Sequence, residues 1–574
     1  MTNEPEPFGA TWWAATMDPV PERAPLGHDL DVDVCVIGAG LAGLTVAREV
    51  ARRGWSVVVL EKRRVAWNAS GRNAGMVSAG FAERLDTIVD RVGLPRAKEL
   101  WALSQEGVDY VRAAGEGLTT PGGRLSVQRV DDEDAIIRHV AMLNVDFGEH
   151  AEVWPTEQVR EVLRTPRYYQ AVHYPSAFQV HPLNYAQRLA AQAEAAGARI
   201  FENTAATALD PAGVRKRIET RKGRIRAAHV VLAGNVHLGA LAPAVAGTVL
   251  PMASYLAVTQ PLGAALAEAI RYGGAVADTR RTGNYYRVLA DGRLMWGMGL
   301  SARTSPPRRL KALMRRDLLR VYPQLGEAEI DYAWAGTLGY AVHRMPQVGE
   351  LGPGYWLAGA FGDHGIDTSA MAGLMIARAI LDGDDRWRLF SPYELVWTGG
   401  PLGRVAAQLV AWGSQAGDAV RERISQRQEA ARRRAAEKAA IRAAVEAARI
   451  EAEERAKREA EETMRLAEEA AARWAAQAEE RRLVAARAAE VAGLAAAPAT
   501  AAPAPAEPVA SAGPAAETSI APFAPGVERQ HAAVEDLRQE IAALEAQAAE
   551  AAEDVATEEG AKPKHHGHRR KPDA

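Results

Sequence analysis

The order of apolar and polar residues near the start of the chain predicts a strand, a helix and a second strand. The segment Asp31–Ile37 is dominated by valine and isoleucine, which is typical of a strand buried inside a sheet. Apolar residues then recur at helical spacing between Leu44 and Val50. A second apolar run, Trp55–Leu60, predicts another buried strand, and it ends at an acidic residue, Glu61. Together these segments predict a βαβ unit of about 30 residues.

Three glycines occupy the turn between the first strand and the helix. Gly38, Gly40 and Gly43 form a GxGxxG motif. In such a motif the first glycine makes the tight turn, the second lets the backbone approach a pyrophosphate, and the third lets the helix pack closely on the strand. The helix N-terminus offers N–H groups to the phosphates, and Glu61 can accept hydrogen bonds from ribose hydroxyls. A lone GxGxxG also occurs in purely structural turns, but the complete unit predicts a dinucleotide-binding site.

Three later segments favour FAD over NAD as that dinucleotide. A glycine-rich loop, Ala69–Gly75, soon follows Glu61, which suits a cofactor folded back over the same domain. The segment Ala227–Gly234 predicts another buried strand ending at glycine, although a simple sheet strand would look the same. Tyr355–Ile366 predicts a strand and a glycine-rich turn that lead into a helix. The N-terminus of that helix could face the flavin pyrimidine, where negative charge develops on reduction.

Several well-spaced blocks of the sequence resemble one enzyme family. The chain is similar to the D-amino-acid-oxidase-like, or glycine/sarcosine-oxidase-like, FAD-dependent oxidoreductases, and within them to the gamma-glutamylputrescine oxidases. The resemblance runs from about residue 10 to about residue 425. The blocks that carry it are TWWAAT (Thr11–Thr16), ASGRNAG (Ala69–Gly75), VHPLNYA (Val180–Ala186), AGNVHLG (Ala233–Gly239), NYYRVLADGRLMWGM (Asn284–Met298), IDYAWAG (Ile330–Gly336), HRMPQVGEL (His343–Leu351) and GAFGDHGI (Gly359–Ile366).

The resemblance implies an α/β (α+β) fold, in which a Rossmann-like FAD/NAD(P)-binding domain is interleaved with a substrate domain. A long C-terminal α-helical extension follows it in this chain. The implied boundaries are an N-terminal arm at 1–30, a discontinuous catalytic domain at 31–400, FAD parts at about 31–105, 181–255 and 335–385, and substrate parts at about 106–180 and 256–334.

The resemblance also implies which residues hold FAD. Those expected at its AMP half are Gly38, Gly40, Gly43, Glu61, Lys62 and Ala206. Those expected at the pyrophosphate and isoalloxazine are Ser70, Gly71, Arg72, Asn73, Gly75 and Met76. Those expected around the flavin ring are Pro346, Gly349, Asp363, His364, Gly365 and Ile366, and Gly234 is a further candidate for contact with the cofactor. Sarcosine-type enzymes attach their flavin through a late Cys, and the one Cys of this chain is Cys35, so we expect noncovalent FAD.

The chain departs from the family at two positions that bear on its substrate. The amino-acid oxidases of this superfamily carry an Arg that clamps the substrate carboxylate, and Leu338 occupies that position here. This argues for an amine rather than a plain α-amino acid. Where the similar oxidases have Ser-Gly-His-Gly, this chain has Gly362–Gly365, which includes Asp363. That side chain would either add a carboxylate close to the flavin or cap the following helix.

The substrate side is expected to use a tyrosine pair and an arginine. Tyr285 and Tyr286 could flank an amine by cation–π contact, and Arg287 could bind a remote carboxylate. An ordinary strand whose polar tips are satisfied would have the same sequence. His343 and His364 are further catalytic candidates, because they flank the predicted flavin segments.

The composition changes abruptly near residue 420. Bulky aromatics almost vanish after Trp412, so we expect the globular part to end there, with a terminal helix at 401–425. Ala, Glu and Arg dominate 426–495 without Gly or Pro until Gly493, which predicts a long charged helix. The expected segments beyond it are an Ala/Pro linker at 496–526, a short coiled coil at 527–553 with Val527, Val534, Leu537, Ile541 and Leu544 in its seam, and a basic His-rich disordered tail at 554–574.

The overall composition bounds the function. A net charge of −3 argues against a dedicated nucleic-acid binder, and one Cys leaves no disulfide and no Cys-based zinc site. The sequence shows no membrane span or signal peptide, so a cytoplasmic protein is expected, with no metal. The leading hypothesis is an FAD-dependent amine oxidase or dehydrogenase that forms an imine, and then an aldehyde by hydrolysis. The alternatives are a D-amino-acid or sarcosine/glycine-type oxidase, and a flavoprotein-derived scaffold whose C-terminal extension binds itself or a partner helix through 527–553.

Overall fold

The computed structural model describes residues 8–280, 282–302 and 306–493. The chain divides into two units, residues 1–451 and 452–574. The predicted linker at 496–526, the coiled coil at 527–553 and the basic tail at 554–574 lie outside the described residues. Within the ranges described, no helix combines the length and the apolar character that crossing a membrane requires.

The described ranges contain strands that form three sheets. In chain order they are β1 (Leu30–Ile37), β2 (Val57–Leu60), β3 (Met76–Val77), β4 (Thr119–Pro121), β5 (Arg124–Val127), β6 (Glu152–Trp154), β7 (Ala171–Tyr174), β8 (Phe178–Val180), β9 (Arg199–Phe201), β10 (Ala208–Asp210), β11 (Lys216–Glu219), β12 (Arg224–Leu232), β13 (Leu250–Thr259), β14 (Ala275–Asp278), β15 (Asn284–Val288), β16 (Leu294–Ser301), β17 (Ile330–Tyr340), β18 (Gln347–Gly352) and β19 (Tyr355–Gly359).

Helices cover the sheets and form the C-terminal extension. The α-helices are α1 (Trp12–Ala15), α2 (Leu41–Arg52), α3 (Ala69–Arg72), α4 (Leu85–Val92), α5 (Leu94–Ala114), α6 (Glu133–Phe147), α7 (Thr156–Val162), α8 (Pro182–Ala195), α9 (Pro243–Ala246), α10 (Gly263–Ala269), α11 (Leu310–Val321), α12 (Gly365–Asp382) and α13 (Gly400–Gly493). Short 3-10 helices span Asn235–His237, Gly239–Leu241, Pro323–Leu325 and Arg386–Phe390.

The first sheet contains the predicted βαβ unit at its centre. Its main path runs β10–β11–β12–β1–β2–β9, and β19 pairs with both β12 and β18. The pairs among β1, β2, β9, β12 and β19 are parallel, whereas β10, β11 and β18 pair in antiparallel fashion. β1 is apolar on both faces because both are covered: Val34 and Val36 belong to one buried cluster, and Cys35 and Ile37 belong to another.

Close helix packing on this sheet depends on glycine. A Cβ at Gly373 in α12 would lie 2.6 Å from the Thr45 Cβ in α2. A Cβ at Gly107 in α5 would lie 2.3 Å from the Asp367 carbonyl oxygen in α12. The N-terminal part of α12 is thus held between α2 and α5, which fixes its first turn relative to the β1–α2 turn.

The second sheet is built mostly from segments that we predict to form the substrate domain, and it has its own core. Its strand order is β17–β13–β16–β15–β14–β5–β7–β6, and its pairs are antiparallel except the parallel pair β14–β5. Tyr286 and Trp296 stack in this core at 4.8 Å between ring centroids, and Met314 and Leu318 of α11 pack in the same cluster. A third, smaller sheet has the strand order β3–β8–β4, and its strands come from residues 76–180.

The C-terminal helix α13 is continuous from Gly400 to Gly493, so the segments expected separately at 401–425 and 426–495 lie in one helix. The stretch of α13 from Glu422 to Arg432 docks on residues 129–167 through polar side chains. Glu422 accepts hydrogen bonds from Arg129 at 2.5 Å and from Arg167 at 3.3 Å. Glu429 pairs with Arg160, and Arg432 pairs with Asp131 at 2.7 Å. Contacts to the globular part therefore extend beyond the predicted boundary near residue 420.

Candidate functional site

A cavity of about 700 Å³ lies at the carboxyl ends of the central parallel strands. Gly38 follows β1, Glu61 follows β2 and Ala233 follows β12, and all three line the cavity. Arg124 of β5 and Tyr285 of β15 line it from the second sheet. Ligands of open α/β sheets bind at this edge of the sheet, so the cavity is the candidate functional site.

The β1–α2 turn leaves its backbone accessible at the cavity wall. Gly38 has a φ of +112°, and a Cβ there would lie 2.8 Å from the Ala233 carbonyl oxygen. Gly40 precedes α2 and has no side chain to cap it. The Leu41 N–H of the first turn donates to the Ser70 hydroxyl at 3.1 Å, and both residues line the cavity. The turn therefore presents glycine backbone and a helix N-terminus to the cavity, as pyrophosphate binding requires.

Gly43 and Gly71 pack chain segments together and do not line the cavity. A Cβ at Gly43 would lie 2.1 Å from the Gly38 carbonyl oxygen, and one at Gly71 would lie 2.3 Å from the Ala66 carbonyl oxygen. These glycines allow close backbone approach beneath the site. Their expected direct contact with the cofactor is corrected to a supporting role.

Glu61 stands at the end of β2 with both carboxylate oxygens engaged by backbone. They accept hydrogen bonds from the N–H groups of Ala39 at 2.9 Å and Arg63 at 2.8 Å. Burial raises the pKa of Glu61 above its ordinary value. A carboxylate oxygen has more than one acceptor direction, so each can also accept from a ribose hydroxyl. Lys62 and Ala206 line this same part of the cavity wall.

The loop Ala69–Met76 is held in shape by one asparagine. The Asn73 amide donates to the carbonyl oxygens of Ala69 at 3.0 Å and Ser70 at 2.9 Å, and its oxygen accepts from the Gly75 N–H at 2.8 Å. Gly75 has a φ of +72°, and a Cβ there would lie 2.1 Å from the Val180 carbonyl oxygen. Ser70, Asn73, Gly75 and Met76 all line the cavity.

Arg72 brings an uncompensated positive charge to the cavity wall. Its guanidinium donates to the carbonyl oxygens of Trp67 at 2.9 Å, Phe8 at 3.0 Å and Ala335 at 3.3 Å. Burial lowers its pKa, and it makes no ion pair within the part of the chain that the structure describes. A cation without a counter-charge favours an anionic ligand nearby, such as a diphosphate.

The first turn of α12 meets the cavity through Phe361–Asp367. Gly362 has a φ of +63°, and a Cβ there would lie 2.5 Å from the Ala82 Cβ. His364 precedes the helix, which has no side-chain cap. Asp363 is exposed in the cavity and makes no hydrogen bond or ion pair among the described residues. Of its two expected roles, the geometry favours the free carboxylate over the helix cap.

The surroundings of the His364 imidazole favour its neutral form at neutral pH. Burial, together with the positive charge of Arg124, lowers its pKa to about 4. Its ring is close to Gly80, where a Cβ would lie 3.2 Å from the His364 Cε1. The imidazole can therefore exchange hydrogen bonds in the cavity without adding a charge. Gly234, Gly365 and Ile366 also line the wall.

These features fit FAD. The α2 N-terminus and Arg72 suit a pyrophosphate, Glu61 suits a ribose, and the α12 N-terminus suits the electron-rich edge of a flavin ring. FAD, when bound, supplies the two-electron acceptor for the reaction. Within 8–280, 282–302 and 306–493, no group of three or more His, Cys, Asp or Glu side chains is arranged to hold a metal ion.

The tyrosine pair is divided between the cavity and the core. Tyr285 lines the cavity, and its hydroxyl is hydrogen-bonded to that of Ser254. Tyr286 is completely buried, and its hydroxyl is 2.6 Å from that of Tyr322. Successive residues of a strand face opposite sides of the sheet, so only one of the pair can reach a ligand. The expectation that Tyr286 faces the substrate is therefore corrected in favour of Tyr285.

Arg287 does not line the cavity. It lies 7% exposed behind Gly75, and its Nη2 donates to the Val180 carbonyl oxygen at 3.1 Å. Its guanidinium carbon is 5.2 Å from the Trp13 ring centroid, and burial lowers its pKa to about 10. The expected contact with a remote substrate carboxylate is corrected to a position behind the cavity wall.

Pro346, Gly349 and His343 also lie away from the cavity. A Cβ at Gly349 would lie 3.0 Å from the Trp387 ring, which makes this glycine a packing position. The His343 Nδ1 accepts a hydrogen bond from the Met345 N–H at 3.1 Å, and burial lowers the pKa of His343 to about 4. The structure gives this histidine a role in the turn before β18 rather than contact with a ligand in the cavity.

Five charged residues of the cavity lining were not expected from the sequence, namely Arg63, Arg124, Asp278, Arg280 and Asp367, and two of them lie near the first turn of α12. Arg124 lines the cavity and donates to the Ser78 hydroxyl at 2.8 Å. Asp367 is 2% exposed, its Oδ2 has no hydrogen-bond partner among the described residues, and burial raises its pKa well above the ordinary value. Arg124 begins an ordinary alternating strand, so no local signal marks it. Asp367 is an acidic residue in the first turn of an otherwise apolar helix, and this pattern in the sequence could have indicated a functional side chain.

Comparison with known proteins agrees with this geometry. A family model described as "FAD dependent oxidoreductase" matches residues 33–379. A gamma-glutamylputrescine oxidoreductase of Escherichia coli is 30% identical over 393 residues, which are 67% of this chain and 91% of that protein. A probable oxidoreductase, OrdL, of Haemophilus influenzae is 31% identical over 382 residues, 64% of this chain and 86% of that protein.

Solved structures share the fold at lower identity. Glycine oxidase from Bacillus cereus superposes with a TM-score of 0.52 at 22% identity, covering 63% of this chain and 98% of that one. L-proline dehydrogenase from P. horikoshii gives a TM-score of 0.52 at 21% identity, covering 66% and 100%. The matched family region ends before α13 begins at Gly400. From its family match, its relatives and a cavity built for FAD, the chain belongs to the family of FAD dependent oxidoreductases.

Proposed function

We propose that the protein oxidises the C–N bond of an amine, a gamma-glutamylputrescine-like compound or a related amine. The amine would lose two electrons and two protons to become an imine, which water hydrolyses to an aldehyde and a smaller amine or ammonia. O2 or another acceptor would then take up the electrons. The E. coli relative's name supports this substrate class. We also place the activity in the cytoplasm, consistent with a single Cys35 that is buried and unpaired.

The observation that carries this proposal is an apolar residue at the cavity wall. Leu338 lines the cavity and packs near Met252 and Tyr340. The amino-acid oxidases that the chain resembles have an arginine at this position. A carboxylate next to the reacting carbon would lose its water here without gaining that partner, at a cost of several kcal/mol. An amine without an α-carboxylate avoids this cost.

Asp363 and Tyr285 further support a cationic ligand. The Asp363 carboxylate is free of partners within the described ranges and can attract a protonated amine into the cavity. The Tyr285 ring lies so close to Gly297 that a Cβ there would be 2.2 Å from the ring. The ring is therefore fixed in one position, and its face can pack against the amine. Together with His364, these are the substrate-side residues that we propose.

Arg124 is the cavity cation suited to a remote acid group. It makes no ion pair within the described part of the chain, and Ser78 holds one of its N–H groups. Its guanidinium carbon is also 5.7 Å from the Tyr174 ring centroid. A planar guanidinium held on one side can bind a carboxylate with its remaining donors. We propose that Arg124, rather than Arg287, binds the distant carboxylate of a substrate such as a γ-glutamylated amine.

Anaerobic mixing of the flavin-loaded protein with candidate substrates tests the proposal. The panel would contain γ-glutamylated amines, polyamines, sarcosine and D-alanine, and bleaching of the flavin absorbance would be followed for each. We expect amines without an α-carboxylate to bleach the flavin fastest at equal concentration. Faster reduction by sarcosine or D-alanine would reject the proposal in favour of an amino-acid oxidase. A flavin-loaded protein that no amine reduces would instead support a scaffold role.

A further inference from the structure

The docked face of α13 is built from small and polar residues. Gln408 accepts a hydrogen bond from the Ala302 N–H at 3.0 Å, and Ser425 accepts one from the Asp131 N–H at 3.0 Å. Ala411 is 6% exposed against the globular part. With Glu422 and Glu429, these positions recur at intervals of three, four, seven or eleven residues, which places them on one side of the helix. The helix thus meets its own domain through its polar side.

The opposite face of the same turns is apolar, and no described residue covers it. Six large side chains there are between 50% and 78% exposed: Leu402, Val405, Leu409, Trp412, Val420 and Ile424. They expose together on the order of 700 Å², close to the roughly 800 Å² that each partner contributes to a standard interface. Monomeric proteins seldom leave so large a contiguous apolar surface in water. We call these six residues the outer face of α13.

The outer face carries no charge along most of its length. Arg404 lies four residues before Gln408 and seven before Ala411, so helical periodicity puts it on the docked side. The first charged residues on the outer side are Arg423 and Arg427. A helix that binds a lipid surface usually has basic residues along both flanks of its apolar face. The lack of such flanks favours an apolar protein surface as the partner.

Two glycines lie midway along the outer face. Gly413 falls at its centre and Gly417 one turn later, and a Cβ added at either would meet no atom within 4 Å. Small residues at a helix surface let a second backbone come close. Leu409 and Trp412 stand beside this shallow notch, and Val420 lies beyond it. The face therefore has both projecting side chains and a shallow notch. In a symmetric pair, the side chains of one copy can fill the notch of the other.

We infer that the outer face of α13 packs against the same face of a second copy of this chain. The two helices run antiparallel and cross near Gly413, so that Leu402 and Val405 of one copy lie beside Val420 and Ile424 of the other. A parallel arrangement would bring Arg423 against its own counterpart, and like charges in contact oppose association. This surface belongs to residues 402–424 and is separate from the predicted coiled coil at 527–553.

The test is the mass of the full-length protein by size-exclusion chromatography with light scattering. We expect the wild type to have the mass of two chains at micromolar concentration and Leu409→Glu to have half that mass with its flavin retained. Val445→Glu is the matched control, because Val445 is 54% exposed on the same helix beyond the outer face. It should remain a dimer. A monomeric wild type, or a monomer produced by Val445→Glu or Leu537→Glu but not by Leu409→Glu, would overturn the inference.

Cysteine cross-linking tests the arrangement independently, because the one native cysteine, Cys35, is buried. Under mild oxidation, Gly413→Cys should give a disulfide-linked pair, whereas Leu402→Cys should not. Efficient linkage through Leu402→Cys would overturn the antiparallel arrangement. Flotation with vesicles of anionic phospholipid checks the lipid alternative. Wild type that floats, and loses flotation with Leu409→Glu, would overturn the proposed second copy in favour of a membrane surface.

Discussion

Arg160 of the substrate domain and Glu429 of α13 form a two-point ion pair. Nη1 lies 2.5 Å from Oε1, and Nη2 lies 3.1 Å from Oε2. The hydrogen bonds from Arg160 lower the pKa of Glu429 to about 2. Paired hydrogen bonds between charged groups have a defined geometry as well as favourable energy. The helix is therefore held at a specific rotation and height on its domain.

We expect Glu429→Gln to destabilise the protein at pH 7 by about 1–2 kcal/mol, because the charged acceptor is lost. The folded-state pKa of about 2 lies below the ordinary 4.5, so this stabilisation is complete above pH 4.5 and disappears as pH falls towards 2. The difference in melting temperature between wild type and variant should thus shrink between pH 5 and pH 3. Glu437→Gln on the same helix is the control. If both substitutions have equal effects at pH 7, the ion pair contributes nothing measurable.

The docking contacts also predict where the chain can be shortened. A protein ending after Ala436 keeps Glu422, Glu429 and Arg432, and should melt within a few degrees of full length with its flavin bound. A protein ending after Trp412 leaves Arg129, which is 6% exposed, without Glu422. We expect its melting temperature to fall markedly, because Arg129 would lose its short ion pair and keep only Asp278, at 4.0 Å, as a counter-charge. Equal melting of the two truncated proteins would contradict this.

Alanine substitutions of two glycines in the GxGxxG motif should impair the protein in different ways. In Gly40→Ala the new Cβ meets only the Ser70 hydroxyl, at 3.0 Å, so the protein should fold but hold FAD more weakly. In Gly43→Ala the Cβ would lie 2.1 Å from a backbone oxygen, so the βαβ unit itself should be destabilised. Flavin content after gel filtration and thermal unfolding separate the outcomes. Glu61→Ala, measured alongside, should resemble Gly40→Ala. A Gly43→Ala protein as stable as wild type would show that the unit relaxes more easily than the structure indicates.

The βαβ unit could be predicted because its signal is local. Strand, turn, helix and acid follow one another within one short stretch, and each contributes its own pattern. Tyr286 shows the limit of what such local signals can predict. A strand alternates its faces, and the sequence does not say which of Tyr285 and Tyr286 faces the cavity. Arg124 reaches the cavity only because β5 pairs with β14 and β7, which are distant in sequence.

The docking of α13 was missed for a different reason. The prediction used bulky aromatic residues as the mark of the globular core, and they almost vanish after Trp412. The contacts that hold the helix are instead formed by Glu422, Ser425 and Glu429 with partners on the substrate domain. Ion pairs with distant residues leave no hydrophobic periodicity in the sequence, and their partners are fixed only by the fold.

Arg124 can be tested by comparing substrates rather than absolute rates. With Arg124→Leu we expect kcat/KM for a γ-glutamylated amine to fall about 10–100-fold, as for loss of a charge-assisted hydrogen bond of 1.5–3 kcal/mol. The rate with an amine that lacks any acid group should change little. Arg124→Lys should recover part of the loss, because the charge remains. A uniform loss with both substrates would indicate that Arg124 supports the flavin site instead.

Leu338→Arg should move the preference towards α-amino acids. The new guanidinium could pair with a carboxylate next to the reacting carbon, so we expect the gap in kcat/KM between amines and D-alanine to narrow. Leu338→Met is the control, since it keeps an apolar side chain of similar volume. Flavin absorbance verifies that both proteins are loaded. An unchanged preference in Leu338→Arg would place the reacting carbon away from Leu338.

The pairing of the first sheet has a consequence for how the protein is made. β1 pairs with β12 from Leu30 opposite Ile225 to Ile37 opposite Leu232, and β12 pairs in turn with β19 near residue 356. A ribosome therefore releases β1 long before its partner β12 exists, and this part of the sheet is complete only after β19 has emerged. Until β12 has emerged, the edge of β1 that will pair with it remains open in the nascent chain. The predicted FAD contacts come from the segments that follow β1, β12 and β19, so the site can be complete only after Ile366 has been synthesised.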